Sequence, residues 1–338
     1  MTVPEGPRSF ASHALAGRCL RSVMPGALAL FIAAGPAQSQ TAHSEIAHSN
    51  PVEITDASGR PVVVEDRGRV VSVGGAVTEI LYALGLDDRI VAIDTTSLYP
   101  PRALAEKPDV GYMRALSPEG LLSTEPSLIL AEDGAGPPEA IALLETASVP
   151  FVLVPSRADA GGVADKIRFV SKAMGAEEAG EALAGAVAAD LAVVREAVGR
   201  IESPAKVLFI LSLANGRVMA AGEGTSAAAM IELAGAENAL SGFSGFKPVN
   251  DEAVLEAAPE VIVMMARGDH AASLEEVRSH PALSHTPAAQ DGRIVAMDGL
   301  YLLGFGPRVA HAVRDLAAAI HPGHDLPELP ARAWATAQ

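Results

Sequence analysis

The chain has 338 residues, of which 49% are hydrophobic and 20% charged, and its formal net charge is −16. The length exceeds one ordinary domain and the balance is globular rather than disordered. The acidic excess excludes a nucleic-acid partner, whose phosphates need a basic surface, so an anionic ligand must be met by a few local arginines against the overall field.

In chain order, the first segment reads as an export signal. Arg18 and Arg21 precede the apolar run Val23 to Ala34, which ends in "AAGPAQSQ". Basic residues, about 7–15 apolar residues and a small-residue end make that pattern, with cleavage after Ala37 or Ser39. Residues 1–39 are expected to be the signal peptide and 40–51 a flexible N-terminal segment. The run is too short to span a bilayer, and no later segment approaches 18 uninterrupted apolar residues. The single cysteine, Cys19, precedes the run, whereas a lipid-bearing cysteine would follow it. A mature chain without cysteine, hence without disulfides, is compatible with a bacterial periplasm.

From about Val52, strands alternate with helices. "RVVSVGG" is a buried strand ending in glycines, "AVTEILYALGL" a helix closed by Gly85, and "RIVAID" the next strand. "SPEGLLSTEPSLILA" is a short helix capped by Ser117 with Pro118 at its first position, then a strand. "IALLETA" and "PFVLVP" continue the alternation, which implies crossover connections and a parallel sheet covered on both faces. Residues 161–203 are almost entirely helix-forming. After Pro204 the alternation resumes through "KVLFILSL", "AAAMIELAG", "DEAVLEAAPEVIVMM" and "GRIVAMDG" to a last helix, "PRVAHAVRDLAAAI". The Pro/His-rich tail from Pro322 is expected to be loose as far as Trp334.

The halves echo each other. Ser117–Ala131 lies over Asn250–Met264: a capped helix, then Glu, a Pro and an apolar strand. "VTEILYALG" and "AMIELAGAE" match more loosely. The expected fold is α/β, with two Rossmann-like lobes, their central sheets mostly parallel, spanning 52–160 and 204–338 and joined by a long interdomain helix. Clefts between lobes are where small ligands bind.

No Gly-x-Ser-x-Gly, His-Glu-x-x-His or P-loop is present, and the histidines are scattered rather than spaced for zinc. A binding protein rather than an enzyme is expected. The segments "DTTSLYPPRAL", "PDVGYMRALSPEGLLS", "FSGFKPVNDEAV" and "MDGLYLLGFGPRVAHAVRDL", which together span about Val70 to Leu316, resemble the periplasmic hemin-binding proteins of bacterial haem ABC transporters. The resemblance implies a monomer that holds haem b edge-on in its cleft, with iron bound by a tyrosine of the first lobe. That position matches Tyr99, one of four tyrosines.

The chemistry suits that role. Phenol has an ordinary pKa near 10, and ferric iron and a neighbouring guanidinium both favour its phenolate. Tyrosinate is a known haem ligand, and Pro100 and Pro101 prestiffen the loop. Read without the resemblance, Tyr99 is a turn tyrosine packed on its own prolines. Arg102 and Arg114 are the candidate guanidiniums; relatives often place an arginine two residues after the tyrosine, where this chain has Pro101. Of His270, His280 and His285, none sits in a matching motif, so five-coordinate iron is expected. Phe243, Phe246, Tyr301, Phe305 and Tyr112 are candidates for the porphyrin face, and Lys247 or Arg308 for the propionates. Arg308 opens a helix, where a cation suits the macrodipole poorly, so it serves something else. In this class a glutamate pair docks the membrane permease; Glu79 and Glu232 are the candidates. The rival reading is the same fold holding a corrinoid or a ferric siderophore.

Overall fold

The structure is a computed structural model and describes residues 50–214, 216–266 and 274–336. These residues belong to one compact unit. The chain first makes an antiparallel hairpin of β1 (Val52–Thr55) and β2 (Pro61–Val64), a two-stranded sheet of its own. The alternation proper starts only after it.

The first lobe contains β3 (Val70–Val73), α1 (Gly75–Ala83), β4 (Ile90–Ile93), α2 (Arg102–Glu106), α3 (Pro118–Leu122), β5 (Leu128–Glu132), α4 (Pro138–Glu145) and β6 (Phe151–Val154). Its four-stranded sheet runs β4-β3-β5-β6 with every pair parallel. All of β3 is buried, as a strand covered by helices on both faces must be. The sequence signals act as read: Gly85 takes a left-handed φ of 68° just past α1, and the Ser117 hydroxyl accepts from the Gly120 N–H with Pro118 opening α3.

The helical stretch at 161–203 is two helices rather than one. α5 (Gly162–Met174) ends at Gly175, whose φ of 65° favours glycine, and α6 (Glu177–Val198) follows. The two pack along each other. α5 also packs on α1, β1 and β6 of the first lobe, so the passage between lobes is α6, 22 residues and about 33 Å long.

The second lobe contains β7 (Lys206–Ala214), β8 (Arg217–Ala221), α7 (Ser226–Leu233), β9 (Glu237–Asn238), β10 (Phe246–Val249), α8 (Asp251–Ala257), β11 (Val261–Met265), α9 (Leu274–Ser279), α10 (Pro287–Gln290), β12 (Ile294–Met297), α11 (Gly299–Leu303) and α12 (Val309–Ile320). Its sheet runs β10-β8-β7-β11-β12 with β9 beside β7. The β7–β11, β11–β12 and β7–β9 pairs are parallel, whereas β8 pairs antiparallel with both β7 and β10. The second sheet is therefore mixed, with a hairpin the first lacks.

One apolar core crosses both lobes, joining Val70, Ile80 and Val152 to Val194 of α6, Phe209 and Leu316 of α12. Smaller clusters fill the other face of each sheet. The tail is not loose. Arg332 makes a bidentate ion pair with Asp190 of α6 at 2.7 and 2.9 Å, Trp334 meets the His311 ring edge-on at 6.1 Å, and Leu326 and Leu329 pack on the main core. Asp190 is only 3% exposed, and a buried carboxylate demands such a partner. The expected signal peptide and Cys19 lie outside the described residues.

Candidate functional site

The Tyr99 loop leaves the C-terminal end of β4, the end at which ligands sit in parallel sheets. Its geometry is set by Asp94, which is fully buried. Asp94 Oδ1 accepts from the Gly74 N–H at 2.9 Å and the Ser97 hydroxyl at 2.9 Å. Its Oδ2 accepts from the Thr96 N–H at 3.0 Å and the Thr96 hydroxyl at 2.6 Å. Burial pushes the Asp94 carboxyl above its ordinary range, against the opposing pull of these donors. Hydroxyls extend the staple: Ser97 bonds Thr78 of α1 at 2.7 Å, and Thr78 bonds Ser72 of β3 at 2.7 Å. The polar run "DTTS" thus fastens the loop to the strand and helix beneath it, and Pro100, itself buried, follows Tyr99 through a cis peptide bond.

The neighbouring loop is drawn alongside. Ile93 bridges Asp109 in parallel, and the Thr95 N–H donates to the Gly111 carbonyl at 3.0 Å. Tyr112 comes one residue later and is 40% exposed; Leu98, next to Tyr99, is 43% exposed. Tyr99 itself is half-buried, with its phenolic oxygen out of solvent.

The cation on Tyr99 is neither sequence candidate. Arg102 points away, pairing with Asp87 at 2.9 Å and Glu106 at 3.2 Å and lying over the Tyr82 ring at 4.7 Å. Arg114 is exposed. Arg308, from the other lobe, covers the Tyr99 ring with its guanidinium carbon 3.6 Å from the centroid. The same guanidinium is 5.0 Å from the Tyr301 ring. Arg308 is itself held by Glu79 of α1: Nε donates to Oε1 and Nη2 to Oε2, both at 3.0 Å, and the Arg308 N–H donates to Oε1 at 3.1 Å. The carboxylate cancels the misfit of a cation at the start of α12, because negative charge at a helix N-terminus is favourable.

Several expectations are corrected. Glu79 is 3% exposed and its carboxylate is occupied by Arg308, so it does not present itself to a docking partner. Glu232 is exposed, on the wall of a cavity of about 410 Å³ that also holds Asp159 and Arg195. The two glutamates are not counterparts: Glu79 is the fifth residue of α1 and Glu232 the seventh of α7, a difference of about 200° around a helix. Phe305 is 3% exposed and belongs to the core, not to a cleft wall. Phe246 is no loop residue; it begins β10 and packs on Phe209 at 6.2 Å. The Tyr301 hydroxyl donates to Asp315 at 2.8 Å, and burial together with that carboxylate pushes the phenol well up, away from phenolate. His280 is 6% exposed, with Nε2 toward the distant Gly216 carbonyl and Nδ1 accepting from the Ala282 N–H. His285 is exposed, with Nδ1 on the Pro281 carbonyl at 2.7 Å. His270 lies outside the described residues. Phe243 packs where a Cβ on Gly222 would collide with its ring, and Lys247 stands over that ring at 5.8 Å.

Among the described residues no group of three or more His, Cys, Asp or Glu side chains is placed to hold a metal ion. A lone phenolate can still hold an iron whose other positions a ligand already fills. Residues 70–300 match the periplasmic binding protein family. The chain belongs to that family. Among solved periplasmic binding proteins it is similar to the periplasmic heme-binding protein BhuT in complex with two hemes, with 40% identity and a TM-score of 0.69 over 75% of this chain and 97% of that one. It is 28% identical over 276 residues to the ABC transporter substrate-binding lipoprotein YvrC of Bacillus subtilis, covering 80% of this chain and 86% of that protein. A vitamin B12-binding protein of Vibrio campbellii is 24% identical over 195 residues, 57% of this chain and 69% of that protein. The two-lobe architecture accords with a binding protein of this kind.

Proposed function

We propose that the protein works outside the cytoplasm, captures ferric haem between its lobes through the Tyr99 phenolate and hands it to an ABC importer. The observation that carries this reading is the Tyr99 loop, which Asp94 fastens to the sheet and which exposes the apolar Leu98 next to the phenol. Haem supplies an iron whose four equatorial positions are filled, so one protein oxygen completes a site. Lys247, Phe243 and Arg114 are assigned to the propionate and porphyrin margins. The phenolic oxygen is out of solvent, so iron reaches it only when the Tyr99 side chain turns. Hemin titrated into the protein is followed by absorption. Tyr99→Phe, which keeps the ring and removes the oxygen, is expected to weaken binding on the order of a hundredfold; an unchanged spectrum and affinity would overturn the assignment.

The similarity to a vitamin B12-binding protein supports a second reading, a corrinoid in the same cleft. A corrinoid has no need of a phenolate, so cyanocobalamin binding that survives Tyr99→Phe would favour it.

For docking on the permease, the exposed acidic residues in matching places are Glu119 and Glu252. Each is the second residue of its helix, α3 or α8, just after a capping Ser117 or Asn250. We assign the docking pair to them. Charge reversal at both is expected to slow uptake by the reconstituted transporter with haem binding intact, because rim charges govern association.

A further inference from the structure

The segment 299–308 of the second lobe is gripped by the first lobe at three points. Leu300 fills the space beside Gly75, where a Cβ would collide with it. The Gly304 carbonyl accepts from Lys166 at 3.3 Å; Lys166 is wholly buried and pairs with Glu132. The Glu79 carboxylate lies against Gly306, where a Cβ would come within 3.2 Å of its oxygens, and takes three donors from Arg308. Between these grips Phe305 has a left-handed φ of 49°, a conformation a bulky residue holds only when its surroundings impose it.

The last grip touches function. Arg308 is held by a carboxylate of the first lobe, belongs to the second, and lies flat on the tyrosine of the first. Its side chain is 12% exposed and that of Glu79 is 3% exposed, so the pair is shielded from salt and its geometry is fixed by two parallel bonds. Were the pair only a strut between lobes, nothing would require its guanidinium to cover the Tyr99 ring. We infer, resting on the haem reading above, that Glu79 and Arg308 are positioning residues that set the Tyr99 ring from across the cleft, so that the hold on iron depends on the lobes staying together. Separating the lobes then withdraws Arg308 and loosens the ligand in the same motion, which gives an importer a way to extract haem without competing for iron.

The test is a double-mutant cycle on the haem-loaded protein, with haem loss to excess apo-globin and the iron–phenolate Raman band as readouts. Arg308→Lys keeps the charge but loses the planar face, and Glu79→Gln weakens the hold on Arg308. Each is expected to speed haem loss roughly tenfold and to shift the phenolate band. Glu79→Asp is expected to restore part of both. Glu79→Gln combined with Arg308→Lys is expected to lose haem no faster than the worse single variant, since the two act as one device. Glu79→Gln with Arg308→Gln leaves no unpaired buried charge and gives a folded comparison if a single variant fails to fold; it is expected to show the same fast loss. Unchanged loss and band in every variant, or rates that multiply in the double variant, would overturn the inference. Failure of the haem reading is separate: the wild-type protein would then take up no hemin, or Tyr99→Phe would leave the wild-type band in place.

Discussion

The two segments that meet at Tyr99 are built by opposite means. The first-lobe segment, the Tyr99 loop, is held from within its own lobe: Asp94, Thr96, Ser97, Thr78 and Ser72 lie within a short stretch of chain and fasten the loop to the strand it leaves. The second-lobe segment, residues 299–308, is held by the other lobe through Lys166 and Glu79. A locally stapled loop keeps its shape whatever the lobes do. A segment gripped from across the cleft reports whether the lobes are together. The difference places a tyrosine on a rigid loop beside a conditional support.

The comparison breaks most sharply at Asp94. Asp94→Ala removes the acceptor of the buried Gly74 N–H, of the half-buried Thr96 N–H and hydroxyl, and of the Ser97 hydroxyl, which retains Thr78. Each buried group left unpaired costs about 1–3 kcal/mol, and partial relaxation puts the expected total near 3 kcal/mol. Denaturant unfolding measures it, and hemin affinity is expected to fall as well because the loop loses its shape. Stability equal to wild type would mean that the staple is not what holds the loop.

Gly75 sharpens the comparison, since both segments meet there. An added Cβ would collide with the Thr96 carbonyl of the Tyr99 loop and with Leu300 of the gripped segment. Backbone cannot yield as a side-chain tip does, so Gly75→Ala is expected to cost about 1–3 kcal/mol and to widen the unliganded particle slightly in solution scattering. The single core crossing both lobes and the proline-free α6 keep that widening small. A large expansion would show that α6 does not limit separation.

The smallest effect concerns pH and the last helix of the second lobe. Burial lowers His311 below its ordinary 6.5, with Arg314 adding to the effect, and burial likewise lowers His321, with His324 adding. A histidine depressed in the folded state binds its proton more readily when unfolded, so its contribution is intact above about 6.5 and is lost as pH falls through the folded value. Melting temperature is expected to drop from pH 7.5 to 5.5, less steeply in His311→Gln and His321→Gln. An equal slope in both variants would assign the loss to carboxylates instead.

Much of the molecule is written locally in its sequence. Ser117 and Asn250 cap their helices as such residues do before Pro118 and Asp251, Gly85 and Gly175 end theirs with positive φ, and the apolar runs become buried strands. Each of these depends on neighbours within about four residues, which a sequence displays directly. The tyrosine on its proline-stiffened loop was legible for the same reason. What folding alone decided lies far apart in the chain. Arg308 and Glu79 are separated by 229 residues and Arg332 and Asp190 by 142, and nothing near either member announces the other. Glu79 and Glu232 look alike by composition, yet two positions along a helix turn one inward and leave the other outside. The cation on Tyr99 therefore came from the opposite lobe, because a buried charge is placed by whichever partner the topology brings to it.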